Sequence, residues 1–467
     1  MLLAASMARA QVDAELRELV EDHEPAAVYL TWSGDPTTSV NVQWLGRNDD
    51  DELDLSWRPE GGEAWRAATP VTRRPMPGDG RSLGSVRLSG LRPDTSYEFS
   101  FVGSEHVRHF RTLSRDPVRP LRFAVGGDIE ENMELVAVTN RRVAATAPDF
   151  VLWGGDLAYA NGDLANARKW VALLETYSRT MERPDGTLIP LVAAIGNHEV
   201  ANGGRDRPRS DAPFFYSLLD FPGPRGYGVL DLGPSTSLVV LDSGHTNAID
   251  GEQARWLDET LAARKGRTHL MAAYHVPAYP SKRSYWGRLS RAIRKHWVPL
   301  FERHGVDLVF EHHDHAYKRT QPIRNGEIDG RGVVYLGDGG WGGRRARVPA
   351  PPGRGGFFSN RRWYLARSES RSYHALVELD GRRRAVRAFD HDGLIIDDYV
   401  QFVGRPAPIE AVGGDRLAAR PEVWVLAAAL LLPLLVWLRR HWRRRRGSGR
   451  RPVVAAGVPA DRRGAPV

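Results

Sequence analysis

The chain has 467 residues, enough for two or three domains, and its 42% hydrophobic and 26% charged residues suit a globular protein with a sizeable core. It has no cysteine, which excludes disulfides, cysteine-ligated zinc, iron–sulfur clusters and cysteine nucleophiles together. The net charge is +8, but Arg439, Arg440, Arg443, Arg444, Arg445, Arg446, Arg450 and Arg451 supply much of that excess in one C-terminal cluster; with no nucleic-acid motif beside them, no nucleic-acid partner is expected.

Residues 1–24 open on MLLAASMARA, a short apolar stretch with small residues before Gln11 but no basic start, which reads either as a remnant signal peptide or as no signal peptide. Residues 25–115 carry β-branched and aromatic runs, among them VYLTWSG, VNVQWLG, LDLSWRP and YEFSFVG, separated by Gly/Pro/Asp-rich turns. They predict a small all-β sandwich. SRDPVRP then links it to a second domain, residues 119–405, where the pattern changes. LRFAVGGD, DFVLWGGD, LIPLVAAIGN, THLMAAYH and VDLVFEHH read as buried strands. MELVAVTNRRVAATA, ARKWVALLETYSRTM, EQARWLDETLAARKG and SRAIRKHWVPLFERHG have the three- and four-residue apolar spacing of helices. Alternating strands and helices predict an α/β fold with a substantially parallel sheet, and YHALVELDGRRRAVRAFDHDGLIIDDYVQF should complete it with antiparallel strands.

Beyond this domain, nothing between Val423 and Leu438 is charged. Those residues would span roughly 24 Å as a helix, with Trp424 and Trp437 at opposite ends and the arginine cluster directly after them. A transmembrane helix over 421–440 is therefore expected, followed by a basic cytoplasmic tail over 441–467, with the preceding domains outside the cytoplasm. The sequence gives no sign of oligomeric state.

Each of the five apolar runs of the second domain ends in a group able to bind metal: Asp128, then Asp156, then Asn197 with His198, then His275, then His313 with His315. Ligand sites of open α/β sheets lie at the carboxyl ends of the strands, so these residues should meet at one edge. Mixed oxygen and imidazole donors suit Fe, Zn or Mn, and two such ions ~3.5–4 Å apart activate water and stabilise displacement at phosphorus. A Gly-Asp after a strand is usually only a turn, and a lone histidine is usually structural; the force lies in five such endings in order.

These motifs, GGD, GDLAY, GNHE, YHVP and HHDH, resemble those of purple acid phosphatases, a branch of the calcineurin-like metallophosphoesterases, with Tyr159 of GDLAY as the branch marker. VYLTWSGDPTTSVNVQW and VRLSGLRPDTSYEF likewise resemble that family's fibronectin-III-like N-terminal domain. The resemblance covers about residues 25–405 and implies a metallophosphoesterase β-sandwich flanked by helices. It implies that Asp128, Tyr159 and His315 hold a first metal, Fe(III), that Asp156 bridges, and that Asn197, His275 and His313 hold a second, Fe, Zn or Mn. His198 would not be a ligand; as the catalytic residue it would contact the phosphate of a small phosphorylated substrate and help protonate the leaving group. The implied activity is acid-phosphatase-type hydrolysis of phosphate esters by a metal-bound hydroxide. The alternatives are a phosphodiesterase or pyrophosphatase on the same site, or a catalytically silent cell-surface binding protein.

The chain departs from the family pattern in three places. Glu130 follows the first motif where glycine is usual, adding a carboxylate. His312 replaces the glycine before His313 and is expected to shift the loop or compete as a ligand. PAYPSKRSYW after His275 lacks leaving-group histidines, leaving Lys282, Arg283 or Tyr285 to face substrate. Two Arg- and Gly-rich segments, ANGGRDRPRSDAP and residues 339–356, read equally as phosphate-attracting loops and as solvated ones.

Overall fold

The computed structural model describes residues 24–48, 53–115, 119–129, 132–337, 339–342, 347–348 and 362–410. The proposed signal remnant up to residue 23, the span over 421–440, the basic tail and Glu130 all lie outside the described residues. Among those described, no helix is long and apolar enough to cross a membrane.

The N-terminal part is a sandwich of two four-stranded antiparallel sheets. Ser39–Leu45 is central in one and Ser96–Phe101 in the other. Trp44 meets Phe101 edge-on at 5.2 Å between the sheets. The sandwich is tied closely to the rest: Asn41 donates to Asp220 at 2.6 Å, Tyr29 donates to the Leu218 carbonyl at 2.8 Å, and Trp32 packs on Phe150.

The second part holds two mixed sheets. In the six-stranded sheet, Leu191–Ala193, Phe150–Trp153 and Leu121–Gly126 run parallel. Tyr373–Asp380, Arg383–Asp390 and Ile395–Phe402 then add antiparallel, as the period-two pattern predicts. In the seven-stranded sheet, Thr236–Val240, His269–Ala273, Leu308–Glu311 and Val334–Gly337 form a parallel centre with antiparallel edges. Parallel pairing thus occupies one half of the six-stranded sheet and the centre of the seven-stranded one. Phe123 and Phe310 meet edge-on between the sheets at 5.7 Å. Met133–Ala145 and Ala167–Thr180 share a core with the outer face of the first sheet, and Gly251–Ala262, Arg288–His296 and Val298–His304 with that of the second.

Two elements differ from the sequence reading. The single helix expected over SRAIRKHWVPLFERHG is two, because Pro299 lacks the N–H that would continue the first helix and instead sits in the opening turn of the second. Thr236–Val240 is a central parallel strand that the five-run reading passed over.

Candidate metal centre

The carboxyl ends of the parallel strands lie at one edge, and the candidate ligands and His198 are there. Asp128 follows Leu121–Gly126, Asp156 follows Phe150–Trp153, and Asn197 and His198 follow Leu191–Ala193. His275 follows His269–Ala273, and His313 and His315 follow Leu308–Glu311. The turns that hold them are strained: φ is +55° at Asp128, +54° at Asp156, +52° at Tyr159, +83° at His313 and +55° at His315. Left-handed backbone outside glycine is uncommon and costs of order 1–3 kcal/mol per residue, so five cases at one edge point to a functional demand.

One group of side chains converges on His275 Nε2. Asp156 Oδ2 lies 3.0 Å away, His313 Nδ1 3.0 Å and Asn197 Oδ1 3.3 Å. The other ring nitrogen, Nδ1, lies 2.9 Å from the Gly154 carbonyl, which can only accept. Donation there leaves Nε2 of a neutral ring with a lone pair facing two oxygens and a second imidazole nitrogen. Such an arrangement is stable only around a cation, so the donor set fits a metal ion. A proton also satisfies it: burial opposes the charged ring, but Asp156 more than offsets this and raises the His275 pKa to about 9. Burial likewise opposes ionisation of Asp156, and His275 overcomes it, holding that carboxyl far below the usual range.

A second group surrounds His315 Nε2, with Asp128 Oδ1 at 2.9 Å and the Tyr159 hydroxyl at 3.3 Å. Asp128 Oδ2 accepts the His313 backbone N–H at 2.9 Å, which joins the two groups. His198 lies over them, stacked on Tyr159 at 4.3 Å and about one-third exposed. Its Nδ1 is 2.6 Å from Asn161 Oδ1, its Nε2 is 4.0 Å from Asp156 Oδ2, and its backbone N–H donates to Asp156 Oδ1.

Other positions were not legible beforehand. The buried Glu199 carboxylate accepts the backbone N–H groups of Asp156, Leu157 and Gly196 at 2.7–2.8 Å, tying the second motif to the third. Burial and then Asp156 push its pKa up to about 7. The buried Asp242 carboxylate gathers the N–H groups of Gly244, His245, Thr246 and Asn247 into a turn, and Ser243 Oγ accepts the Val276 N–H beside His275. The run SLVVLD ending in SGH has the same form as the other five and was the available signal.

His312 neither opens the loop nor joins either group. Its ring is wholly buried against Gly127 and Gly154, and neither ring nitrogen has a hydrogen-bond partner among the described residues. A Cβ on Gly154 would sit 1.8 Å from its Cδ2 and Nε2, so two glycines make room for the imidazole. Arg283 stands beside His313, its guanidinium against the His313 carbonyl and 3.0 Å from Asp314 Oδ1, whereas Tyr285 turns inward to stack on Tyr364. The Arg- and Gly-rich loop after GNHE is fastened by Asp206 N–H to the Gly244 carbonyl and Arg207 N–H to the His245 carbonyl.

Two family models match this chain. Residues 121–317 match the calcineurin-like phosphoesterase family, and residues 25–112 match the purple acid phosphatase N-terminal domain. Purple acid phosphatase 15 of Arabidopsis thaliana is 28% identical over 293 residues, covering 55% of this chain and 53% of that protein. Probable purple acid phosphatase 20 of the same plant is 26% identical over 280 residues, covering 55% and 60%. The chain thus spans little more than half the length of these relatives. The purple acid phosphatase PPD1 from yellow lupin seeds superposes with a TM-score of 0.63 at 16% identity, over 80% of this chain and 73% of that one, a likeness of fold.

Proposed function

Because this chain joins a purple acid phosphatase N-terminal domain to a calcineurin-like phosphoesterase domain, we propose that it hydrolyses phosphate esters at a dinuclear metal centre. The observation that carries this reading is the crowding of Asp156, Asn197 and His313 around the bare edge of His275. Asp128, Tyr159 and His315 would hold the first ion, Asp156 would bridge, and Asn197, His275 and His313 would hold the second. The tyrosine favours Fe(III) at the first position; Fe, Zn or Mn suits the second. Such a pair, when bound, supplies an activated water and neutralises charge on the phosphoryl oxygens.

The chain's own residues do the rest. The carbonyl of Gly154 fixes the His275 ring, as a partner behind a metal ligand does. Glu199 and Asp242 hold the loops that carry Asp156 and border His275, so the donors stay in place as substrate arrives. His198, fixed by Asn161 and open to solvent on one edge, would contact the substrate phosphate. The N-terminal sandwich is read as fibronectin-III-like. Residues 421–440 are read as a single membrane anchor holding the catalytic domain outside the cytoplasm, to be checked with a reporter fused after residue 467; an external reporter refutes that orientation.

The deciding experiment is a panel of phosphomonoesters, phosphodiesters and pyrophosphate, assayed with metal analysis of the same preparation. Two ions per chain and preferred monoester hydrolysis are expected. A protein that holds two ions and cleaves none of them is not a phosphoesterase.

A further inference from the structure

Beside the strand ends that carry His275 and His313 lies a buried ion pair that no motif accounts for. Lys318 Nζ is 2.5 Å from Glu311 Oε2, and both side chains have no exposure. The two residues lie on different strands of the seven-stranded sheet, each in register with Gly337 of the strand between them. The other carboxylate oxygen of Glu311 accepts the Tyr274 hydroxyl at 2.7 Å and the Ala278 backbone N–H at 2.6 Å. Lys318 also donates to the Tyr279 carbonyl at 2.5 Å.

The positions are telling. Glu311 stands two residues before His313, Tyr274 one before His275, Ala278 three after His275, and Lys318 three after His315. One carboxylate therefore grips the chain on both sides of His275 from the strand that delivers His313. Stability alone explains this poorly, because a fully desolvated pair is commonly no better than well-packed apolar residues of the same size. What apolar residues cannot supply is the acceptor for Tyr274 and Ala278.

We propose that Glu311 is a positioning residue that sets the spacing of His275 and His313, and so the affinity of the second metal; this rests on the dinuclear reading above. Lys318 keeps Glu311 aimed. Partners behind metal ligands are typically worth about 10–100-fold in metal affinity.

Two charge-free pairs of substitutions separate positioning from folding. Glu311→Leu with Lys318→Met removes the acceptor, while Glu311→Gln with Lys318→Met keeps a carbonyl oxygen for Tyr274 and Ala278. Zinc is titrated into the metal-stripped full chain against a competing chelator, and thermal unfolding of each stripped protein is recorded beside it. The leucine pair should weaken the second zinc by about 10–100-fold. The glutamine pair should stay within roughly threefold of wild type, a retention that follows from the preserved acceptor. If the leucine pair does not fold, Tyr274→Phe replaces it and should weaken the second zinc by roughly threefold or more. A leucine pair, or a Tyr274→Phe variant, with wild-type zinc affinity overturns the inference while leaving the dinuclear reading standing. A wild-type chain that takes up no zinc sinks both.

Discussion

His275 Nε2 lies 3.0 Å from Asp156 Oδ2, with neither side chain more than 1% exposed. A charged oxygen and an imidazole nitrogen shut away together must share a cation or a proton. Asp156→Asn keeps the Oδ1 acceptor for the His198 N–H but removes the charge. Because residues behind metal ligands are worth about 10–100-fold, loss of a direct ligand should cut hydrolysis by more than about 100-fold. Metal content of the purified variant should fall with it. Unchanged hydrolysis would refute the site.

Tyr159 lies 3.3 Å from His315 Nε2 and stacks on His198. A phenolate bound to Fe(III) colours a protein by charge transfer, so the wild type should show a visible absorption band that Tyr159→Phe abolishes. Loss of one hydrogen-bonded hydroxyl should change stability by only about 1 kcal/mol. A colourless wild type fully active on zinc or manganese would end the ferric assignment and spare the esterase.

Glu199 takes three backbone N–H groups from two loops. Glu199→Ala leaves those donors buried without an acceptor. Hydrogen bonds to a charged group are worth about 1.5–3 kcal/mol, so a loss of at least about 3 kcal/mol is expected in urea unfolding. Glu199→Gln should cost less, since its amide still offers one acceptor. Equal effects of the two would show that the acceptor is not what matters.

The contact of Gly154 with His312 predicts a rescue. Gly154→Ala alone forces a Cβ into the imidazole and should destabilise by about 1–3 kcal/mol. With His312→Gly in the same chain the clash disappears, and the Gly154→Ala penalty should shrink to less than half. Additive effects in a double-mutant cycle would contradict the packing described.

His374 bears on acid stability. Its ring is buried, stacked on Phe389 at 5.5 Å and against Trp341, and its Nδ1 has no hydrogen-bond partner among the described residues. Burial, and then Arg142, lower its pKa to about 4, against a weaker opposing pull from Asp390. Between pH 6.5 and 4 the unfolded chain binds a proton here that the folded protein refuses, so this stability is full above 6.5 and falls as pH drops towards 4. The loss approaches about 1.4 kcal/mol per pH unit in that window. His374→Phe should flatten the decline in chemical denaturation between pH 6.5 and 4. A slope identical to wild type would show that the ring titrates normally.

The sequence by itself marked the candidate donors. Asp128, Asp156, Asn197, His198, His275, His313 and His315 each follow an apolar run, Tyr159 entering through the family resemblance, and such runs become parallel strands whose carboxyl ends share an edge, so the order of motifs already implied one site. Local chemistry also marked the helices and the antiparallel strands that close the six-stranded sheet, because their periods are written in adjacent residues. What only the tertiary structure decided depends on residues far apart in sequence. Whether His312 is a ligand rests on the room left by Gly127 and Gly154, some 185 and 158 positions away. The grip of Glu311 on both sides of His275, and its pairing with Lys318 across an intervening strand, follow from sheet register, which no local pattern records. GGD and HHDH were the least regular motifs as text; the fold makes them adjacent, with Asp128 accepting the His313 N–H and the His312 ring packed beneath both.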